Sequence, residues 1–317
     1  VQNLRLVFAG TPAAAVPALE RLAASDHELV GVVTRPAAPL GRKRVLTPSL
    51  VAQAAERLGL PVIEAARLGA EPTAAIEALR PDLGVIVAYG GLVREPLLSA
   101  PTHGWVNLHF SLLPAWRGAA PVQHALIAGD AETGASVFRL VPELDAGDVF
   151  AMRPREIDGS ETSGELLEDL AVSGAELLSE VVDAIAAGTA VATAQSGEPS
   201  FAPKLTIDDA RLDWRLPAAE VLARFRGVTP EPGAWTTLDE QRLKVLELAT
   251  TADGADAADT ADATAMPPGM IAMHDRRVLI GTATAPLELR RVQPSGRTAM
   301  AAADWWRGAA REQAVAR

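Results

Sequence analysis

A chain of 317 residues has room for one large domain or two ordinary ones, and typical domain sizes favour two. At 49% hydrophobic and 22% charged it has a globular composition, and no apolar run approaches the roughly 20 residues that span a bilayer, so a soluble protein with no membrane association is expected. A net charge of −11 excludes a protein that grips nucleic acid with its whole surface, and the lack of cysteine excludes disulfides and thiolate metal sites. Val1, Gln2 and Asn3 lead straight into an apolar segment without a basic n-region or cleavage site, and the expected address is the cytoplasm.

In chain order, short aliphatic runs alternate with segments of helical spacing. Strands are predicted at residues 4–9, 29–34, 61–64, 83–88, 105–108 and 136–140, and helices at 16–24, 50–58, 74–79 and 121–127. Pro and Gly punctuate them, as at Gly59 and Pro61 or at Pro81. This is the pattern of βαβ units, so the predicted fold class is α/β, with a doubly wound, mostly parallel, Rossmann-like sheet. A long helix is predicted over 163–187, with Thr162 and Ser163 as caps and Gly188 closing it.

Beyond Gly188 the texture changes to turn residues between isolated strands at 242–248, 270–273, 278–281 and 287–292, as in a small β-barrel or sandwich. The predicted organisation is a first domain over 1–188, a linker over 189–206 and a second domain over 207–317. Residues 1–206 carry 15 basic and 24 acidic side chains, whereas residues 207–317 carry 14 and 16. Four of those last acids, Asp253, Asp256, Asp259 and Asp262, sit in the stretch 250–265, which is almost all Ala, Asp and Thr. Too polar to pack, it is predicted to be a mobile surface loop, and without it the second part is weakly basic.

The stretch from Gly104 to Pro114 carries the most chemistry. On a strand at 105–108 the two-residue period sets Val106 and Leu108 on one face and Asn107 and His109 on the other. The polar pair falls at the carboxyl end of the strand, the edge at which open parallel sheets bind ligands. Some 36 residues after His109 a turn-forming segment, Leu144 to Asp148, supplies carboxylates that could reach back. An amide and an imidazolium are suitable donors to an oxyanion, and Asp145 beside His109 is expected to raise the imidazole pKa and favour its charged form. The same carboxylate, directly or through water, could take the proton an attacking amine must lose, and His109 could then help deliver a proton to the leaving nitrogen. Neither a metal nor a redox group is needed.

Asn107, Leu108 and His109, followed by Ser111 to Pro114 and by Arg117 and Gly118, resemble the signature of the folate-dependent formyltransferases, with Asp145 at the place of that family's catalytic aspartate. The resemblance implies Asn107, His109 and Asp145 as a catalytic trio. It implies Ser111, Leu112, Leu113 and Pro114 as a folate-contacting loop, and Val87, Tyr89 and Gly90 as part of the pteridine pocket, although 85–90 reads equally well as a buried parallel strand. The implied donor is 10-formyltetrahydrofolate. Phe110 departs from the Gly, Ala or Pro common at this place.

The resemblance spans nearly the whole chain: Phe8 to Pro12, Trp116 to Pro121, Leu144 to Asp148, Thr229 to Trp235 and Pro294 to Met300. It is nearest to the members whose acceptor is initiator tRNA charged with methionine, and it implies a monomer. Those members carry a basic loop after the second strand, with an arginine where Arg42 stands, so Arg42, Lys43 and Arg44 are expected to meet tRNA. The second domain is expected to be the family's OB-like barrel, its scattered arginines following the tRNA backbone.

Other readings lead elsewhere. A nucleotide-sugar formyltransferase would share the trio but gives no reason for the basic loop or the segment near Pro294. A formyl-folate hydrolase would use water in place of the amine. A dinucleotide-binding oxidoreductase should open with G-x-G-x-x-G, whereas the first turn here, Gly10 to Ala15, has one glycine in place. A non-catalytic RNA-binding protein would be indifferent to replacement of Asn107 or His109.

Overall fold

A computed structural model describes residues 3–41, 44–251, 266–309 and 312–317. Packing divides the chain into two compact units, one of Val1–Pro121, Glu132–Ile157 and Leu167–Pro203, the other of Val122–Ala131, Asp158–Leu166 and Lys204–Arg317.

In chain order the elements begin with β1 (Arg5–Gly10), α1 (Val16–Ala23), β2 (Glu28–Thr34), β3 (Ala38–Leu40), β4 (Val45–Thr47), α2 (Leu50–Arg57) and β5 (Val62–Glu64). There follow α3 (Ala70–Ala78), β6 (Leu83–Val87), β7 (Trp105–His109), β8 (Arg117–Gly118), α4 (Pro121–Ala128), β9 (Glu132–Arg139), β10 (Val149–Glu156), α5 (Ser163–Ala186) and β11 (Phe201–Ala202). The main sheet of the first unit has the order β10-β9-β7-β6-β1-β2-β5. Its five strands from β7 to β5 are parallel, and β9 and β10 are antiparallel additions. The order reverses at β1, which lies between β2 and β6, as in doubly wound sheets.

The parallel strands are buried on both faces and are therefore near-continuous apolar runs, such as Leu83 to Val87. Ala9, Ile86, Asn107 and Phe138 lie side by side across four strands. Around them Val7, Val33, Tyr89, Trp105 and Ile76 of α3 make one core cluster. On the other face α5 lies against β7 at a glycine: a Cβ on Gly174 would sit 3.1 Å from a Leu108 methyl. Ser49 caps α2 by accepting from the Ala52 N–H at 2.9 Å. Thr162 and Glu165 form a reciprocal capping box at the start of α5.

In the second unit, α6 (Ala218–Gly227), β12 (Trp235–Leu238), β13 (Gln241–Thr250), β14 (Met270–His274), β15 (Arg277–Ile280), β16 (Leu287–Pro294), β17 (Met300–Ala301), α7 (Ala302–Ala309) and β18 (Gln313–Val315) follow. The antiparallel order β12-β13-β16-β15-β14-β18 closes on itself, because Thr237 and Arg317 exchange two backbone hydrogen bonds of 2.9 Å across an isolated bridge. Closure removes the free edges, and the interior holds Trp214, Val245, Ile271, Val292 and Trp306.

The structure adds elements that the sequence reading lacks: β8, β10, β11, β12, β17, β18, α6, α7, and β3, which lies within the expected basic loop and pairs with β4 just after it. The acidic stretch 252–265 lies outside the described residues.

Candidate active site

The predicted pair stands on one face of β7. Asn107 is half-buried, and among the described residues its side-chain amide has no hydrogen-bond partner. His109 ends the strand, about 7 Å further along by strand rise, and is buried. Trp105, on the same face, is committed elsewhere: its indole N–H donates to the Leu97 carbonyl at 2.9 Å.

One nitrogen of His109 is settled by its partner. Nε2 is 2.9 Å from the Trp116 carbonyl oxygen, which can only accept, so Nε2 carries hydrogen. The other nitrogen, Nδ1, is 4.0 Å from Asp145 Oδ2, too far for a direct hydrogen bond but close enough for strong electrostatic coupling. The expected direction of the imidazole pKa is corrected here. Burial pushes it below the ordinary 6.5, outweighing the Asp145 charge and the Trp116 carbonyl, both of which push it up. At neutral pH His109 is therefore uncharged, and Nδ1 is an acceptor rather than a donor.

Asp145 sits in a left-handed turn with φ of 46°, a conformation that non-glycine residues adopt sparingly. Its Oδ2 accepts the Gly118 N–H at 2.7 Å. Its backbone carbonyl accepts from Gln195 Nε2 at 2.8 Å, and the same nitrogen donates to the Gly147 carbonyl at 2.9 Å. Gln195 Oε1 in turn accepts from Arg117 Nη2 at 2.6 Å and Nε at 3.2 Å. Segments around 116–118, 145–147 and 195 are thus knotted beside the end of β7. The sequence reading missed Gln195, the Trp116 carbonyl and the Gly118 N–H. The recurrence of Trp116 to Gly118 beside the trio was the one available signal for the last two, and nothing marked Gln195.

The predicted donor loop leaves the end of β7 directly. Ser111 is fully buried, its hydroxyl donating to the Ala115 carbonyl at 2.6 Å. The Ser136 hydroxyl donates to the Ser111 carbonyl and accepts the Leu113 N–H, so the loop is tied to β9. Leu113 packs with Phe138 and Val149, while Leu112 and Pro114 are half-buried. Val87 is buried at the end of β6. Tyr89 is buried with its hydroxyl 2.5 Å from the Ala65 carbonyl, so its ring belongs to the core, and Gly90 follows with φ of 76° and accepts from Arg35 at 2.7 Å. Of the basic loop, Arg44 is exposed after the Gly41 turn, whereas Arg42 and Lys43 lie outside the described residues.

An uncommitted amide, a neutral imidazole acceptor and a nearby carboxylate at the carboxyl end of a parallel strand can polarise a carbonyl and move a proton. Residues 4–182 match the formyl transferase family and residues 204–310 match the formyl transferase C-terminal domain. The chain belongs to the formyl transferase family, and it is an enzyme of formyl transfer. Proteins called methionyl-tRNA formyltransferase are similar to it along their whole length. That of Leifsonia xyli subsp. xyli is 63% identical over 98% of this chain and 99% of its own, and that of Clavibacter sepedonicus is 60% identical over 99% and 100%. HypX from Aquifex aeolicus, solved with tetrahydrofolic acid, shares the fold at a TM-score of 0.63 and 15% identity, over 96% of this chain and 47% of that one. An N-formyltransferase from Helicobacter canadensis, solved with folinic acid and dTDP-3-aminofucose, gives 0.66 and 15% over 92% and 99%.

Proposed function

We propose that this enzyme transfers the formyl group of 10-formyltetrahydrofolate to the α-amino group of methionine carried by initiator tRNA, acting as a cytoplasmic monomer. The observation that carries the reading is the His109–Asp145 pair on the face of Asn107, in a chain 63% identical throughout to a protein of that name. The Asn107 amide donates to the formyl oxygen, where negative charge gathers as the amine attacks. His109 Nδ1 takes the proton the amine loses and passes it to the donor nitrogen as the old carbon–nitrogen bond breaks and the new one forms. Asp145 stabilises the imidazolium while the proton resides there. One proton moves from amine to donor, so charge and atoms balance. Ser111 to Pro114, with Val87 and the backbone of Tyr89 and Gly90, flank the donor, and Arg42, Lys43 and Arg44 meet tRNA.

The test is incubation with 10-formyltetrahydrofolate and, separately, charged initiator tRNA, a dTDP-amino sugar and no acceptor. Formyl-methionine on the tRNA is the expected product. Formylation of the sugar, or equal formate release without any amine, overturns the reading.

A further inference from the structure

We propose that Gln195 is a positioning residue for formyl transfer, an inference that rests on the proposed function: its amide holds the Asp145 turn at the distance from His109 that proton transfer requires. Gln195 lies 50 residues beyond Asp145, past the end of α5, and is half-buried.

Its bonding capacity is used in full. Both amide hydrogens are directed at backbone carbonyls of the turn, those of Asp145 and Gly147, and the amide oxygen takes two donors from Arg117. The bonds close a ring. Asp145 grips Gly118 through its carboxylate, Gly118 follows Arg117, Arg117 grips Gln195, and Gln195 returns to the backbone of Asp145. His109 is held by the carbonyl of Trp116, the residue before Arg117. Residues 116–118 therefore hold both reacting side chains, His109 at one end and Asp145 at the other, and Gln195 is the brace that locks this segment to the turn. The turn needs bracing because Asp145 is left-handed there.

A carboxylate at 195 would keep the grip on Arg117 but would present oxygen to two carbonyl oxygens. This separates a positioning role from a structural one. Gln195→Glu and the near-isosteric, neutral Gln195→Met are compared with wild type for folding by circular dichroism, for kcat and KM of formylation, and for the titration of His109 by NMR, assigned through His109→Gln. Asp145 is the charge that bears on His109, and Arg117 lies at the other end of the Gln195 amide. Both variants are expected to lose kcat about 10–100-fold, as a misplacement of about 1 Å does, with little change in KM for the formyl donor. In Gln195→Met, His109 titrates lower than in wild type, because a loosened Asp145 supports the imidazolium less.

Wild-type kcat in Gln195→Glu would show that only Arg117 needs this side chain, and it overturns the proposal. An unchanged His109 titration in Gln195→Met does the same. The titration requires no acceptor, so it decides the positioning role even if wild type formylates nothing.

Discussion

At His109 two effects oppose each other, and burial wins: the imidazole titrates below its ordinary 6.5 despite the carboxylate nearby. Two measurable consequences follow. The unfolded chain takes up a proton near pH 6.5 that the folded chain refuses until lower pH, so this contribution to stability is fully present above 6.5 and is lost as pH falls below it. Denaturant unfolding at about pH 7.5 and about pH 5.5 should show the loss in wild type and a smaller one in His109→Gln. In the proposed mechanism the base is the neutral ring, so the acid limb of kcat/KM should lie below 6.5. A limb at or above 6.5 would mean that the Asp145 charge dominates after all. Removing the Asn107 amide by Asn107→Ala should lower kcat about 100–1000-fold, the usual cost of one oxyanion donor, while equilibrium binding of the formyl donor survives. Equal losses in binding and rate would place Asn107 in ground-state binding instead. Asn107 and His109 were legible in the sequence because a two-residue period on a single strand suffices to pair them. The turn at 144–148 was legible as a source of a carboxylate, but assigning Asp145 the catalytic place rested on the family resemblance, since no local pattern ties a turn to a strand 36 residues back. Gln195 left no trace because it acts on backbone carbonyls, which have no sequence code.

Among the elements, the turn from Leu140 to Asp148 is the one on which the site depends, and a glycine sets its path. An added Cβ at Gly147 would overlap the Arg139 carbonyl oxygen, a backbone atom with no room to yield. Gly147→Ala should therefore displace the turn, costing about 1–3 kcal/mol of stability by overpacking. It should also lower kcat more than ten-fold through Asp145. Urea unfolding and steady-state kinetics on one preparation check both, and an unaffected kcat would detach the turn from catalysis. The parallel strands were legible because burial on both faces makes them unbroken apolar runs. The edge strand β10 was not: its half-buried positions include Arg153 and Arg155, which face acids of α5 rather than a core, at 3.1 and 2.8 Å to Glu176 and Glu180 and 2.8 Å to Asp169. Apolar alternation disappears when the inward side chains are arginines. Helix α6 was hidden for another reason. Its buried residues are Val221, Ala223, Phe225 and Gly227, a spacing of two that imitates a strand, because the helix is covered on more than one side.

With tRNA as the proposed acceptor, a chain of net charge −11 must concentrate its cations locally. In the second unit Arg242 and Lys244 share one face of β13, with Trp235 paired to Lys244, and the guanidinium groups of Arg242 and Arg211 lie 4.2 and 5.7 Å from the centre of its ring. None of the three cations has a carboxylate within 4.0 Å among the described residues, so their donors remain for phosphate. On the proposed function Arg242, its guanidinium lying over the indole, is expected to contact one phosphate. Arg242→Ala should weaken binding of the charged tRNA and reduce the slope of log affinity against log salt by about 1, whereas formate release without acceptor should be unchanged. Arg42→Ala should act at a different step, lowering the rate of tRNA formylation while also sparing acceptor-free hydrolysis. Filter binding across a salt series, run beside single-turnover formylation, separates the two. An unchanged slope in Arg242→Ala would move the tRNA path off this face of the barrel. A loss of acceptor-free hydrolysis in either variant would mean that the substitution had reached the reacting centre rather than the RNA.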